Sequence, residues 1–304
     1  MKVFLTGTTG YIGGTVAVRL IAAGHQVAGL VRSGAQEPRV RALGIEPVIG
    51  SLDDVRLLQE ETARADVVIN TANVDHRPSA DAILAAVRGT AKLFIQTGGT
   101  SIVADCAGGE AGSAVHEDDT PVHPLPLRVG RAQLKDAVLA AAKDGMRTVV
   151  IAPPMIYGRG LGPNPNSIQI PKMIAVARKL GIAKYVGKGA NVWSNVHIED
   201  LADLYMLAIE RAPGGAHYYA ENGENAMIEI CQSISRMLGF GGKTASMTLA
   251  EAAAEYGEVP ANYSFGSNSR VRAVRARAEL GWSPSRPGLV DEIERGTYAK
   301  AGAA

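Results

Sequence analysis

Aromatic residues and an excess of charge of one sign are both lacking in this 304-residue chain. Phe, Trp and Tyr together make up 5% of it, and 31 Lys and Arg against 30 Asp and Glu leave a net charge of +1. A protein without a basic surplus has no long-range field that attracts nucleic acid or an anionic membrane. The nearest basic cluster, at Arg270, Arg272, Arg275 and Arg277, is interpreted as a solvated helix face. The composition therefore predicts no nucleic-acid partner and no membrane partner.

Cysteine is equally scarce. Cys106 and Cys231 are the only two, and they form no CxxC pair, which argues against a disulfide framework and favours a reducing compartment. The run His116-Glu117-Asp118-Asp119 has metal-capable groups but no metal-site frame, so we interpret it as an exposed loop and predict no metal. The apolar residues before Thr6 are too few for a signal peptide, and no segment is apolar enough to span a bilayer. We therefore expect a cytoplasmic protein.

Glycine and apolar residues, in contrast, are abundant. The 35 glycines suit many tight turns, and 46% hydrophobic residues suit a large buried core. Short apolar runs that alternate with helical periodicity predict a doubly wound α/β Rossmann sheet of parallel strands with helices on both faces. The predicted strands are 3–5, 27–31, 47–49, 67–69, 93–95 and 148–151, and the predicted helices between them are 11–23, 53–61, 79–88 and 131–143.

The pattern changes after Ile151, where Pro153-Pro154 ends the strand and a Gly-, Pro- and Asn-rich loop follows. We assign 1–155 to an NADP-binding Rossmann domain. Residues 156–304 are assigned to a smaller C-terminal substrate-binding lobe, with segments that return to the Rossmann sheet. Helices are predicted in that half at 171–180, 199–210, 227–238 and 249–256.

The strongest motif is a glycine run directly after the first strand, Thr6-Gly7-Thr8-Thr9-Gly10-Tyr11-Ile12-Gly13. In a GxxGxxG run, the first glycine permits the tight turn, the second lets the backbone approach a pyrophosphate, and the third lets helix and strand pack closely. The following helix directs its free N–H groups at the phosphates. The run predicts a dinucleotide site with contacts from Gly7, Thr9, Gly10, Tyr11, Ile12 and Gly13.

The end of the second strand selects the nucleotide. NAD sites usually have Asp or Glu there for the ribose 2′-hydroxyl, whereas this chain has Arg32 and Ser33. A guanidinium can pair with a 2′-phosphate and a serine can add a hydrogen bond. NADP(H) is therefore the predicted cofactor.

Five ordered landmarks give the chain a family resemblance. They are the glycine run, Thr71-Ala72-Asn73, Thr97-Gly98-Gly99 with Pro153-Pro154-Met155-Ile156-Tyr157-Gly158, Val196-His197-Ile198-Glu199-Asp200-Leu201-Ala202, and Leu280-Gly281-Trp282-Ser283-Pro284. The chain resembles the short-chain dehydrogenase/reductase superfamily, in its extended or atypical NAD(P)-dependent epimerase/dehydratase branch. The resemblance implies further cofactor contacts at Leu52, Thr71, Ala72, Asn73, Thr97, Gly98, Pro153, Met155 and Ile156.

The catalytic pair of that family is missing. The family carries Tyr with Lys four residues later, and the ammonium lowers the phenol pKa from about 10. Here the matching positions hold Val129 and Gln133, and the catalytic Ser site falls on Gly99. Val cannot transfer a proton and Gln cannot lower a pKa, so the usual epimerase or dehydratase mechanism is in doubt.

Replacement donors are sought near the nicotinamide end. Tyr157 and Thr100 are the candidates, although packing is the preferred interpretation of Tyr157 and a turn cap suits Thr100 equally well. Asp75 with His76 offers an acid pair, but a solvated loop is the preferred interpretation. The predicted substrate contacts are Asn164, Gln169, Trp193 and His197, of which His197 is first expected to order the two lobes or line the pocket.

Three functions remain open. The preferred one is an NADPH-dependent oxidoreductase that reduces a carbonyl, imine or activated alkene of a small molecule. The second is a non-catalytic NADP-binding regulator or redox sensor, suggested by the missing pair. The third is a sugar-nucleotide epimerase or dehydratase, suggested by the resemblance. The helix at 79–90 is short for the interface helix of dimeric relatives, so a monomer and a homodimer are both open.

Overall fold

The computed structural model of the chain describes residues 1–302, and its strands alternate with helices along the first half of the chain. The strands are β1 (Lys2–Thr6), β2 (Gln26–Val31), β3 (Glu46–Ile49), β4 (Val67–Asn70), β5 (Leu93–Thr97), β6 (His116–Glu117), β7 (Arg147–Ala152), β8 (Met155–Tyr157), β9 (Ala183–Val186), β10 (Val192–His197), β11 (Ala216–Tyr219), β12 (Glu224–Ala226), β13 (Thr244–Met247) and β14 (Val271–Arg272). The helices are α1 (Tyr11–Ala22), α2 (Glu37–Arg41), α3 (Val55–Arg64), α4 (Arg77–Val87), α5 (Val129–Ala140), α6 (Gln169–Leu180), α7 (Ile198–Arg211), α8 (Met227–Met237), α9 (Leu249–Tyr256), α10 (Glu258–Pro260), α11 (Val274–Leu280), α12 (Leu289–Glu294) and α13 (Thr297–Gly302).

Seven strands form one parallel sheet in the order β11-β7-β5-β4-β1-β2-β3. The chain runs outward from β1 to β3, returns to place β4 beside β1, and continues outward to β11. This reversal between β1 and β4 is the switch point of a doubly wound sheet. It confirms the Rossmann fold predicted from the alternation of strands and helices.

Helices cover both faces of the sheet, because successive residues of a strand point in opposite directions. In β1, Phe4 packs into a core shared with α3, α4 and α5, while Leu5 packs into a core shared with α1 and α7. Both side chains are fully buried. Since α7 and β11 come from the second half of the chain, that half completes one face and one edge of the sheet.

A second core belongs to the C-terminal lobe. It is formed by side chains of β8, β9, β10 and α6, α8 and α9, and includes Met155, Tyr157 and Trp193. Strands β8, β10 and β12 form a small sheet, and β9 pairs with β13. Because β7 ends at Ala152 and β8 begins at Met155, the lobe starts at the carboxyl edge of the Rossmann sheet.

The arginine cluster differs from its predicted form. Arg270 lies just before β14 and Arg272 on it, and both pair with Glu224, at 2.7 and 2.9 Å. On α11, Arg275 pairs with Glu279 at 2.7 Å. The interpretation as a solvated helix face was therefore wrong, since each of these guanidiniums has a carboxylate partner and two of them do not lie on a helix.

The acidic run after residue 115 is also more ordered than predicted. His116–Glu117 forms β6, and Asp118 is buried, accepting hydrogen bonds from the backbone N–H groups of Tyr219 at 2.6 Å and Arg275 at 2.9 Å. The run thus contains a short strand and a buried aspartate, and the prediction of an exposed loop was wrong. Among residues 1–302, no group of three or more His, Cys, Asp or Glu side chains is arranged to hold a metal ion. In the same range, no helix combines the length and hydrophobicity needed to cross a bilayer.

Candidate functional site

The residues predicted to bind a dinucleotide meet at one edge of the sheet. Gly7 follows β1, Arg32 follows β2, Thr71 follows β4, Gly98 follows β5 and Pro153 follows β7. Parallel strands bring their carboxyl ends to the same edge, and these five strands are consecutive neighbours in the sheet, in the order β7-β5-β4-β1-β2. Ligands of open α/β sheets bind at this edge, beside the switch point.

The glycine run forms a turn that tolerates no side chains at two positions. Gly7 has a φ of +77°, and a Cβ there would lie 2.6 Å from Thr71 Oγ1 and 2.8 Å from the Ala72 Cα. A Cβ on Gly13 would overlap the Gly7 carbonyl oxygen and Thr71 Oγ1. Gly10 closes the turn by donating its N–H to the Gly7 oxygen at 2.8 Å. The first and third glycines thus let β1, α1 and the segment after β4 approach each other closely.

The amino end of α1 is open to an anionic ligand. Gly10 is the N-cap and provides no side-chain acceptor, and no acidic residue lies in the first turn. The N–H groups of this turn therefore lack intrahelical partners, and the helix dipole adds positive potential there. Thr9, Gly10, Tyr11 and Ile12 are half-exposed along this edge. These features fit a diphosphate.

Arg32 and Ser33 are both exposed just beyond β2. The Arg32 N–H donates to Gln36 Oε1 at 3.0 Å, while its guanidinium forms no ion pair with any described residue. Ser33 is the N-cap of a 3₁₀ turn over Gly34–Gln36 and its hydroxyl makes no capping bond. The nearby carboxylate, Glu37, is engaged with Arg41 at 3.3 Å. A free cation and a free hydroxyl thus stand where the ribose of a bound dinucleotide is expected.

The segment after β4 is held to β1 by a hydrogen bond at its start and is exposed at its tip. Thr71 Oγ1 donates to the Thr6 carbonyl at 2.7 Å, which ties β4 to β1. Ala72 and Asn73 are exposed, and Asn73 Oδ1 accepts the Asp75 N–H at 2.9 Å. Leu52, after β3, is half-buried against the core of the α3–α5 face. Each of these predicted contacts therefore lies along the carboxyl edge of the sheet.

A polar network that sequence reasoning missed lies beside Gly98 and Gly99. Arg131, in the first turn of α5, donates two hydrogen bonds to Asp75, at 2.8 Å from Nε and 2.6 Å from Nη2. Its Nη1 donates to Ser101 Oγ at 2.7 Å. The hydrogen bonds from Arg131 lower the pKa of the Asp75 carboxyl. Asp75 is thus an anchored carboxylate in an exposed loop, as the preferred interpretation expected, and not one half of a free acid pair.

Ser101 is the half-exposed hydroxyl of this network. It lies two residues beyond Gly99, the position of the missing family serine, and a Cβ on Gly99 would lie 3.4 Å from Arg131 Nη1. The same segment lines a small cavity with Val74, Thr97, Gly98, Gly99, Ile102, Arg131, Leu134, Lys135, Val150 and Ala152. The signal that could have found the network was the run of hydroxyl residues after Gly99. That run does not reveal the partners of Ser101, because Arg131 lies 30 positions further along the chain.

The sequence profile described as "NAD dependent epimerase/dehydratase family" matches residues 3–220, about 70% of the chain. The chain belongs to this family. Membership makes it an enzyme of the NAD(P)-dependent epimerase/dehydratase type, an oxidoreductase class built around a nicotinamide dinucleotide.

Relatives and solved structures agree with the family. The chain is 32% identical to an oxidase of Acremonium sp, over 96% of this chain and 95% of that protein. It is 29% identical to the 4-hydroxy-2-methyl-3-oxo-4-farnesyl-3,4-dihydroquinoline-1-oxide ketoreductase of Stigmatella aurantiaca, over 93% and 92%. Its fold is similar to that of dTDP-glucose 4,6-dehydratase from Bacillus anthracis in complex with NAD, with a TM-score of 0.77, 18% identity and coverage of 96% and 95%.

The usual catalytic positions of the epimerase/dehydratase family carry no acid or base here. Val129 and Gln133 are exposed on the first turns of α5. Thr97 is occupied elsewhere, since its hydroxyl bonds to the Tyr205 hydroxyl at 2.6 Å beneath the sheet edge. Ser101 and the neighbouring Thr100 are therefore the hydroxyls nearest to the missing serine.

Thr100 does not present its hydroxyl to a ligand. The residue is 1% exposed, its Oγ1 accepts a hydrogen bond from Ser269 Oγ at 2.9 Å, and its N–H donates to the Pro153 carbonyl at 3.2 Å. The bond from Ser269 fastens the segment after β5 to the C-terminal lobe, and the bond to Pro153 ties it to the segment after β7. The geometry argues against the predicted contact with a substrate oxygen.

Tyr157 is likewise turned into the lobe. Its side chain is fully buried, its hydroxyl donates to the Pro287 carbonyl at 2.9 Å, and its ring meets the His197 ring edge-on at 5.5 Å between centroids. Burial raises the pKa of Tyr157 well above its usual range. A phenol that is enclosed and already donating is poorly suited to the predicted proton transfer. Met155 shares this core, while the half-buried Ile156 packs on the Rossmann side.

The predicted substrate contacts are only partly brought together, since His197 shares a cleft with the neighbours of Asn164 while Trp193 lies in the lobe core. Trp193 is buried in the lobe core and donates its Nε1–H to the Ser267 carbonyl at 2.7 Å. His197 caps α7, with Nδ1 accepting the Glu199 N–H at 3.2 Å, and it lines a cleft together with Pro163 and Pro165. Asn164 is exposed in a loop that packs against α1, where the Tyr11 hydroxyl donates to the Gly158 carbonyl at 2.8 Å. Gln169 begins α6. The structure therefore gives Trp193 a structural role, whereas His197 both caps a helix and lines a cleft.

Proposed function

We propose that this protein is an NADPH-dependent reductase that acts on a carbonyl, imine or activated alkene of a small molecule, with a carbonyl favoured. The observation that carries the proposal is the hydrogen-bond donor formed by Ser101 and Arg131 at the end of β5. It supplies an electrophilic group where the family's Tyr and Lys are missing. The ketoreductase relative, over nearly the whole chain, supports a reductase.

The residues at the sheet edge fit the cofactor. Gly7 and Gly13 keep the turn free of side chains, and the uncapped amino end of α1 suits the diphosphate. The exposed Arg32 and Ser33 suit a 2′-phosphate, and no acidic side chain is available there for a 2′-hydroxyl. When bound, NADPH supplies a hydride to the carbonyl carbon, and a proton from solvent completes the alcohol.

Ser101 has a defined part in this reduction. Because Arg131 donates to the Ser101 oxygen, the hydroxyl hydrogen of Ser101 is free to be donated to a carbonyl oxygen. That oxygen gains negative charge as the carbonyl is reduced, and a donor fixed beforehand stabilises it most at that point. Asp75 holds the Arg131 guanidinium through two hydrogen bonds, so Arg131 and Asp75 are positioning residues.

The first test is titration of the purified protein with NADPH and NADH, followed by NADPH consumption over ketones, aldehydes, imines and enones. Preferential NADPH binding with turnover of a carbonyl compound supports the proposal. Tight NADPH binding with no turnover on any of these compounds would overturn it in favour of an NADP-binding regulator. NAD that remains bound through purification would instead favour an epimerase or dehydratase.

A further inference from the structure

Arg128 stands at the junction between the Rossmann domain and the C-terminal lobe. It is the residue before α5, one helical turn from Arg131. Its guanidinium carbon lies 5.0 Å from the centre of the Tyr263 ring, which belongs to the lobe. Arg128 therefore contacts the lobe from the start of the same helix whose Arg131 binds Ser101 and Asp75.

The charge of Arg128 is not balanced by the chain itself. In the part of the chain that the structure describes, no carboxylate forms an ion pair with Arg128, and its buried Nε has no hydrogen-bond acceptor. Both oxygens of the nearby carboxylate, Asp75, are taken by Arg131. Burial, and secondly the positive charge of Arg131, lower the pKa of Arg128. Asp75 thus balances only one of two neighbouring guanidiniums, and the half-buried Arg128 is an unfavourable cation until an anion joins it.

We propose that Arg128 binds a carboxylate of the substrate, so that the substrate is a small oxo acid. The proposal rests on the proposed function, because it takes Ser101 as the donor to the carbonyl oxygen. The surplus of the cluster is one positive charge, which matches a carboxylate better than a phosphate dianion. Arg128 and Arg131 are neighbours on consecutive turns, and Arg131 touches Ser101, so the carboxylate and the carbonyl lie only a few bonds apart.

The test compares each of several 2-oxo and 3-oxo acids with its own methyl ester, which has the same carbonyl and no charge. The wild-type protein is expected to prefer the acid in kcat/KM by roughly 10- to 100-fold, the worth of one charge-assisted hydrogen bond. In Arg128→Gln this acid-over-ester ratio falls towards one, chiefly through KM, and Arg128→Lys recovers part of it. Arg56→Gln, at an exposed arginine on α3, keeps the ratio of the wild type.

Two results would overturn the assignment. One is equal use of acid and ester by the wild type, and the other is a loss of kcat/KM in Arg128→Gln by the same factor for both. The second result would mean that Arg128 only holds the lobe against the Rossmann domain through Tyr263.

A binding measurement separates this proposal from the proposed function. Calorimetry of the protein saturated with NADP⁺ is used to compare the acid with the ester in the wild type and in Arg128→Gln. If the acid binds more tightly and only the wild type discriminates, Arg128 is an anion site even where no turnover is seen. If acid and ester bind alike, the anion site is wrong, whatever the activity.

Discussion

A hydroxyl that accepts a hydrogen bond from a guanidinium has its own hydrogen available for another acceptor, and Ser101 is held in this way by Arg131. Ser101→Ala removes the donor to the developing oxyanion and should lower kcat by about 10²- to 10³-fold, with a smaller change in KM. Steady-state kinetics with the best carbonyl substrate measure both constants. Ser113→Ala, in an exposed loop, is the matched control. An unchanged kcat in Ser101→Ala would remove Ser101 from the mechanism.

Tyr157 gives the opposite expectation. Tyr157→Phe deletes only the hydroxyl that donates to Pro287, so unfolding should become easier by about 1 kcal/mol while kcat/KM stays within a factor of two or so. Chemical denaturation and the same steady-state assay measure the two effects. A loss of activity of about 100-fold with the fold intact would restore Tyr157 as the proton donor.

The proposed preference for NADPH over NADH depends on one side chain, that of Arg32. Arg32→Ala removes the only charge expected at the 2′-phosphate, so the Kd for NADPH should rise roughly 10- to 100-fold while the Kd for NADH changes little. Fluorescence titration with both nucleotides measures the ratio. Equal weakening of both would mean that Arg32 acts on the fold or the shared part of the cofactor.

How far single residues could be predicted depended on how local their partners are. The glycines were predictable because their spacing within a seven-residue turn already marks them, although Thr71 and Ala72 add to the constraint. Thr100 was not, because its hydroxyl is taken by Ser269, 169 positions along the chain. Tyr157 is held by Pro287, 130 positions away, and Arg131 reaches Asp75 over 56 positions. A motif shows which groups are present, whereas the direction of each side chain depends on these distant contacts.

At the scale of elements, the hydrophobic periodicity predicted which segments are helices and which are strands. It predicted the first and last residues of these elements less accurately. Helix α3 begins at Val55 and not at 53 because the Asp54 carboxylate caps it, accepting the Leu57 N–H at 3.0 Å. Strand β11 is only four residues long, and the sequence pattern did not identify it as one of the segments that return from the lobe to the Rossmann sheet. Nothing in a short apolar run indicates that it pairs with β7, about 70 residues earlier.

The junction of β1 and α1 offers a test at this scale. Gly13→Ala puts a methyl group into the Gly7 carbonyl, so α1 must move away from β1 and dinucleotide binding should be lost, with stability reduced by roughly 1–3 kcal/mol. The matched control is Gly130→Ala in α5, where a Cβ meets no atom within 4 Å. It should be neutral or stabilising by about 0.5–1 kcal/mol. Thermal unfolding and NADPH titration compare the two variants, and equal behaviour would contradict the packing argument.

For the whole molecule, His217 couples stability to pH. It lies on β11, its Nδ1 is 3.1 Å from the Asp118 carbonyl, and its Nε2 is buried without a partner. Burial lowers the pKa of His217 from 6.5 to about 4. The unfolded chain therefore takes up this proton more readily, so the contribution is complete above pH 6.5 and is lost as the pH falls towards 4, by at most about 3 kcal/mol.

The variant His217→Gln isolates this effect, because its amide can still donate to the Asp118 carbonyl and does not titrate. Melting temperatures between pH 7.5 and 4.5 should fall less steeply in the variant than in the wild type. Parallel curves would mean that other groups, such as the buried His197, carry the acid sensitivity.

The return of α7 and β11 to the Rossmann sheet means that the nucleotide-binding half is not a transferable module. A fragment that stops at residue 155 would expose β7 as a sheet edge and strip from α1 the apolar cover that α7 provides, together with the Arg19–Asp203 ion pair. During synthesis, the cofactor site cannot reach its final stability until about residue 220 has left the ribosome. Recombination that exchanged the lobe for another would have to keep these two returning segments, so new specificities in this fold are expected to arise in the loops between them.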